Sequence, residues 1–230
     1  MNQFIASSAF LSVLISLGAY FLGLLVKRKL KLAIFNPLLI AVLATIIFLV
    51  ITRTSYETYR KGSRFLDWLL TPATVALAIP LYEQLEMLKR NWKAVLLGVA
   101  SGMITSILSV LAICFLFHLP HEYYVSFLPK SVTTAIGMVL SQEMGGYVPI
   151  TVSVIVMTGI VGNIVSPFVL KIGRINDPVA KGIAIGTSSH VIGTSKAMEM
   201  GEVEGAFSSI SLVISGIMTV LGSMFVKNLI

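Results

Sequence analysis

Uncharged apolar runs alternate with short, strongly punctuated ones along this chain. Residues 1–26 carry no charge, and 6–26 is long enough to cross ~30 Å of hydrocarbon at ~1.5 Å per residue. The run stops at Lys27, Arg28, Lys29 and Lys31, a basic cluster that predicts a cytoplasmic end and an outside N-terminus. Residues 32–52 form a second run, opened or kinked by Asn36 and Pro37. Further long runs cover 94–117, 147–170 and 205–226.

Three stretches do not fit that pattern. Residues 66–82 are short and carry Pro72 and Pro80, so a helix interrupted near Thr71–Thr74 is expected, with an ordinary proline-kinked helix as the alternative. Residues 125–146 place Pro129 and Lys130 before Ser131, Thr133 and Thr134, and close on Gly145 and Gly146. With Lys130 at one end and Glu143 at the other, a broken or re-entrant helix fits better than a span. Residues 178–200 crowd Lys181, His190, Lys196, Glu199, several hydroxyls and glycines into an apolar context. Long spans alternating with interrupted ones mark transporter cores, in which half-helix ends face a midplane site. The predicted fold is an all-α integral membrane protein: a polytopic bundle of about five long spans plus three broken or re-entrant helices, in one domain over 1–230.

Composition agrees. Of 230 residues, 56% are hydrophobic and 12% charged, against about 25% charged in soluble domains. Mean hydropathy is +0.92. The net charge of +7 comes largely from residues flanking apolar runs, which set topology and meet anionic headgroups rather than nucleic acid. Met1, Asn2, Gln3 and Phe4 lack the positive n-region of a signal peptide. Cys114 reads as a packed small hydrophobe, and His118, His121 and Glu122 as a solvated loop rather than a metal site. Gly98 and Gly102 have the G-x-x-x-G spacing that lets helices approach closely.

The chemistry these stretches suit is anion binding. An interrupted helix offers amide N–H groups and the positive end of its dipole. Lys130, Ser131, Thr133 and Thr134 form one donor set; Thr187, Ser188, Ser189, His190, Thr194, Ser195 and Lys196 form a second. Pro72, Thr74, Pro80, Pro129, Gly186 and Gly193 are the expected breaking positions. A histidine inside a membrane is a functional candidate by default, so His190 is a proton-coupling candidate with Glu199 as its partner. Alternatives are snorkelling for Lys130 and Lys196, and back-bonding to the helix for the hydroxyls. No nucleophile elbow, Walker loop, H-E-x-x-H, haem or flavin motif is present, so neither catalysis nor a cofactor or metal is expected.

Residues 70–84 (LTPATVALAIPLYEQ), 127–146 (FLPKSVTTAIGMVLSQEMGG) and 181–210 (KGIAIGTSSHVIGTSKAMEMGEVEGAFSSI) resemble the signature blocks of the LrgB/CidB family. The resemblance implies a multi-pass protein of the bacterial inner (plasma) membrane with an LrgA/CidA-type membrane partner. It also implies antiholin-like or holin-like control of murein hydrolases and lysis. Relatives include the plastid glycolate/glycerate translocator, which implies a carrier for a small carboxylate such as pyruvate, glycolate or lactate. A homo-oligomer is a further expectation. The family often has glutamate where this chain has Thr71, a departure that bears on proton coupling.

Overall fold

The structure is a computed structural model that describes residues 10–30, 37–76, 78–226 and 229. The expected openings of the first two runs, at 6–9 and 32–36, and the side chains of Thr71, Thr74 and Pro80 lie outside the described residues. The chain divides into two compact units, 1–76 and 77–230.

In the first unit, α1 (Leu11–Leu30) packs on α2 (Pro37–Ile51). Gly23 allows this: a Cβ there would stand 2.8 Å from Pro37 Cα. The helix does not end before the basic cluster as expected but runs through Lys27, Arg28 and Lys29. Lysine and arginine are good helix formers, and their charges are favourable at a helix C-terminus. α2 covers 15 described residues, about 22 Å at ~1.5 Å each, inside the run expected over 32–52. Ser55 caps α3 (Tyr56–Gly62), and Tyr59 meets Ser16 of α1 at 2.7 Å between hydroxyls. α4 (Arg64–Ala76) carries Pro72 in its interior. The interruption expected near Thr71–Thr74 is therefore absent. A proline removes only its own N–H and crowds one carbonyl, which kinks a helix without having to end it.

The second unit begins with the short helices α5 (Ala78–Glu83) and α6 (Leu85–Arg90), followed by the long α7 (Trp92–Leu116). The 125–146 stretch is broken as expected: α8 (His121–Phe127) and α9 (Thr134–Glu143) flank a non-helical 128–133. Neither helix is long enough to cross hydrocarbon. α10 (Val148–Ile172), α11 (Pro178–Met200) and α12 (Glu202–Val226) complete the chain. Four described helices, α1, α7, α10 and α12, are long and apolar enough to cross a membrane, and α2 is a shorter apolar helix.

α11 is the axis of this unit, packing on α7, α10 and most extensively on α12. Small residues permit each approach. A Cβ on Gly98 would stand 2.7 Å from Ile183 Cγ2, and one on Gly102 2.6 Å from Thr187 Cγ2. On another face, a Cβ on Gly186 would stand 2.8 Å from Ser208 Cα of α12. Lipid tails are as apolar as leucine, so close van der Waals packing of this kind is what holds membrane helices together. Cys114, Tyr124 and Val125 are buried in a core at the far end of α7, where Tyr124 donates to the Val226 carbonyl at 2.8 Å.

Candidate functional site

The wide break between α8 and α9 opens at Leu128 and is carried on by Pro129, which has no N–H to continue a helix. Thr133 ends it by accepting a hydrogen bond from Ile136 N, so its side chain is the N-cap of α9. Thr134 is the half-buried first residue of α9. Between them Lys130 Nζ donates to Ser131 Oγ at 3.1 Å, and Ser131 Oγ lies 3.3 Å from Ser106 Oγ of α7.

Two cavities flank the first half of α11. One, of about 650 Å³, lies between α7 and α11; the other, of about 580 Å³, lies between α10 and α11. Lys130, Ala184 and Ser188 belong to the walls of both. The first is rich in hydroxyls, with Ser131 and Thr187 among them, whereas valines of α10 dominate the second. Thr187 Oγ1 is buried without a hydrogen-bond partner. The ion pairs of this unit among the described residues are Lys181–Glu204 at 3.7 Å and Lys196–Glu199 at 2.7 Å, so Lys130 is in neither, and the carboxylate on the first cavity's wall is that of Asp177, which caps α11 by accepting from Ala180 N.

The second break is a single residue. His190 has φ 42 and ψ −142, far from helical values. The pivot is therefore His190 itself. Gly186 serves close packing on α12, and a Cβ on Gly193 would stand 3.0 Å from Ile185 Cγ2. The His190 ring is 3% exposed, and its Nε2 lies 2.8 Å from the Ile155 carbonyl of α10. A carbonyl only accepts, so Nε2 carries the proton. Gly159 makes room for the ring, since a Cβ there would stand 2.6 Å from Cε1. Thr194 Oγ1 satisfies the His190 carbonyl at 2.9 Å and meets Ser208 Oγ of α12 at 2.9 Å.

The structure thus brings Lys130, Ser131, Thr187, Ser188 and Ser189 to the cavity walls, and leaves His190, Thr194, Ser195 and Lys196 off them. Ser195 donates to the Ile192 carbonyl and receives Asn163 Nδ2 at 3.4 Å. Glu199 is exposed and paired with Lys196, one turn away on the same helix. The expected His190–Glu199 pair is not formed. The hydroxyls of α7 on the first cavity, Ser101, Thr105, Ser106 and Ser109, escaped sequence reasoning, although their spacing sets them along one helix face.

The chain matches the model of the LrgB-like family over residues 16–229. It belongs to that family. An antiholin-like protein LrgB of Bacillus subtilis (strain 168) is 36% identical over 215 residues, 93% of each chain. Antiholin-like LrgB proteins of Bacillus cereus (strain B4264) and Bacillus anthracis (strain CDC 684 / NRRL 3495) are 35% identical over 213 residues, 92% of this chain and 93% of theirs. No solved structure matches the chain. LrgB-like membership and the long apolar helices together make this a multi-pass membrane protein.

Proposed function

We propose an antiholin-like role in a bacterial plasma membrane, in which the chain, assembled with an LrgA/CidA-type partner, restrains murein hydrolase activity and lysis. The support is the antiholin-like name carried by relatives at 35–36% identity over more than nine-tenths of the chain. Deletion and complementation test it: cells lacking the protein should lyse earlier under a murein-hydrolase challenge, and the restored gene should reverse this. Unchanged lysis would count against the role.

One observation favours a second reading, a carrier for small monocarboxylates such as pyruvate, glycolate or lactate. Lys130, a cation without a carboxylate partner among the described residues, stands where two cavities meet. The start of α9, four residues on, adds the positive end of a helix dipole. An isolated intramembrane ammonium group is expensive, and an anionic ligand offsets that cost. In proteoliposomes, labelled pyruvate should enter saturably. Lys130→Met should cut uptake about 10–100-fold, from loss of a charge-assisted hydrogen bond of ~1.5–3 kcal/mol at ~1.4 kcal/mol per tenfold. Lysis control that survives this substitution would separate the two readings; undiminished uptake would remove Lys130 from the pathway.

A further inference from the structure

The two halves of α11 lie side by side. In a continuous helix, residues 185 and 193 would stand about 12 Å apart at ~1.5 Å per residue. Here a Cβ on Gly193 would stand 3.0 Å from Ile185 Cγ2. Ser208 of α12 is approached by both halves, at Gly186 and at Thr194, and Ala197 packs with Leu170 and Ile185. The chain therefore turns back at His190, and α11 is a helical hairpin with both ends at one face of the bundle. α8 and α9 make a second hairpin: Ser126 Oγ accepts from Tyr147 N at 2.7 Å, and the Tyr123 and Tyr147 rings stand 5.5 Å apart.

The hairpins enter from opposite faces. Gly98 meets Ile183 and Gly102 meets Thr187, so α7 and the first half of α11 start from the same face. α8 follows the far end of α7, so α8 and α9 enter from the other. The tips meet halfway. On α7, Thr187 stands at Gly102 and Ser131 at Ser106, one turn apart. On α10, the Ile155 carbonyl takes the His190 ring, and a Cβ on Gly137 of α9 would fall on Ile155 Cδ1. Residues 178–189 cover about 18 Å of the ~30 Å of hydrocarbon, so this arm stops inside the membrane.

The face where α7 and α11 start carries Lys89, Arg90, Lys93, Lys171, Arg174 and Lys181. The loops of the other face, 117–123 and 142–147, carry no lysine or arginine. The basic face is therefore cytoplasmic. The first cavity runs along α7 from Asn91 at that face to Ser109 near the tips, with Asp177 at its mouth. The second runs along α10 from Leu170 to Val154. Beyond the tips, Cys114, Tyr124, Val125 and Leu128 form a packed core. Thr187 Oγ1, buried in the first cavity's wall without a partner, calls for water or a polar solute.

We infer that the two hairpin tips enclose a site for a small hydrophilic solute, and that this structure opens it to the cytoplasmic face alone, through the hydroxyl-lined cavity between α7 and α11. Carriers place their sites near the midplane, where interrupted helices of opposite halves meet. The solute's role rests on the carrier reading above; the one-sided opening rests on the packing.

The test is labelling with a membrane-impermeant thiol reagent, applied to either side of sealed vesicles holding the full chain. The buried Cys114 of the unsubstituted chain sets the background. Arg174→Cys and Glu202→Cys, at exposed positions flanking α11, should react from one side, and Glu122→Cys and Glu143→Cys from the other. Thr105→Cys and Ser188→Cys, both exposed on the cavity wall, should react from the Arg174 side only. Ile217→Cys, on an exposed apolar face of α12, should react from neither, because a thiol in apolar surroundings stays protonated. Reaction of Arg174→Cys and Glu202→Cys from opposite sides would make α11 a span and overturn the inference. So would cavity cysteines that react from neither side, from the Glu122 side, or equally from both. Absence of saturable pyruvate uptake would instead count against the carrier reading and leave the one-sided opening in place, since labelling needs no solute.

Discussion

Between α8 and α9 the helix stays open over residues 128–133, whereas α11 leaves helical geometry at His190 alone. The wide break turns side chains outward: Lys130 and Ser131 reach the walls of the cavities. The point break turns its polar groups inward. The His190 ring is held by the Ile155 carbonyl, its own carbonyl by Thr194, and neither residue reaches a cavity. Two interruptions that look alike as letters therefore do different work. One presents a cation; the other joins the two halves of α11 at a fixed bend.

The comparison breaks most easily at the bend. Gly162 of α10 packs so closely on α11 that a Cβ would fall on the Ser189 hydroxyl and within 2.6 Å of Ser189 Cβ. Gly162→Val should therefore cost about 1–3 kcal/mol or more through overpacking. The expected result is a large drop in the unfolding midpoint in detergent and a poor yield of monodisperse protein. A normal midpoint would show that α10 does not hold the bend.

The wide break should respond more gently. Thr133 caps α9 and closes the open segment. Thr133→Ala should cost about 1 kcal/mol, the usual value of such a cap, and Thr133→Ser should recover most of it. On the carrier reading, pyruvate KM should rise modestly with it, because Lys130 sits on the same segment. A change in KM with no change in stability would instead make Thr133 a direct ligand, as its place in the sequence first suggested.

Long apolar runs showed where α7, α10 and α12 lie, because span length is set by the bilayer and little else. The break at 128–133 was also legible, since Pro129 and a capping hydroxyl are local signals. Pro72 misled for the converse reason: whether a proline ends a helix or only bends it depends on what surrounds it. The basic cluster after residue 26 does not end the helix, because lysine and arginine leave helical backbone undisturbed. The G-x-x-x-G of α7 did prove to be a contact, with Gly98 on Ile183 and Gly102 on Thr187. What remained hidden was which hydroxyl of α7 leaves its own helix. Ser101, Thr105 and Ser109 are exposed and bond back to α7 carbonyls, whereas the half-buried Ser106 meets Ser131, and partners are a property of the packed structure.

The smallest effect is expected on the half of α11 beyond the bend. Polarity alone made Glu199 a partner for His190, but the structure pairs it with Lys196 at 2.7 Å on an exposed surface. An exposed i,i+3 ion pair on a helix contributes about 0.2–0.5 kcal/mol, and salt screens it further. Glu199→Gln should accordingly move the unfolding midpoint very little, and less at 0.5 M salt than in dilute buffer. It should also leave the pH profile of any pyruvate uptake unshifted, because the carboxylate lies on neither cavity wall. A displaced profile would mean that α11 rearranges enough during a working cycle to bring Glu199 to the site. The bend at His190 would then be a moving joint, and the contrast between a presenting break and a holding break would have to be abandoned.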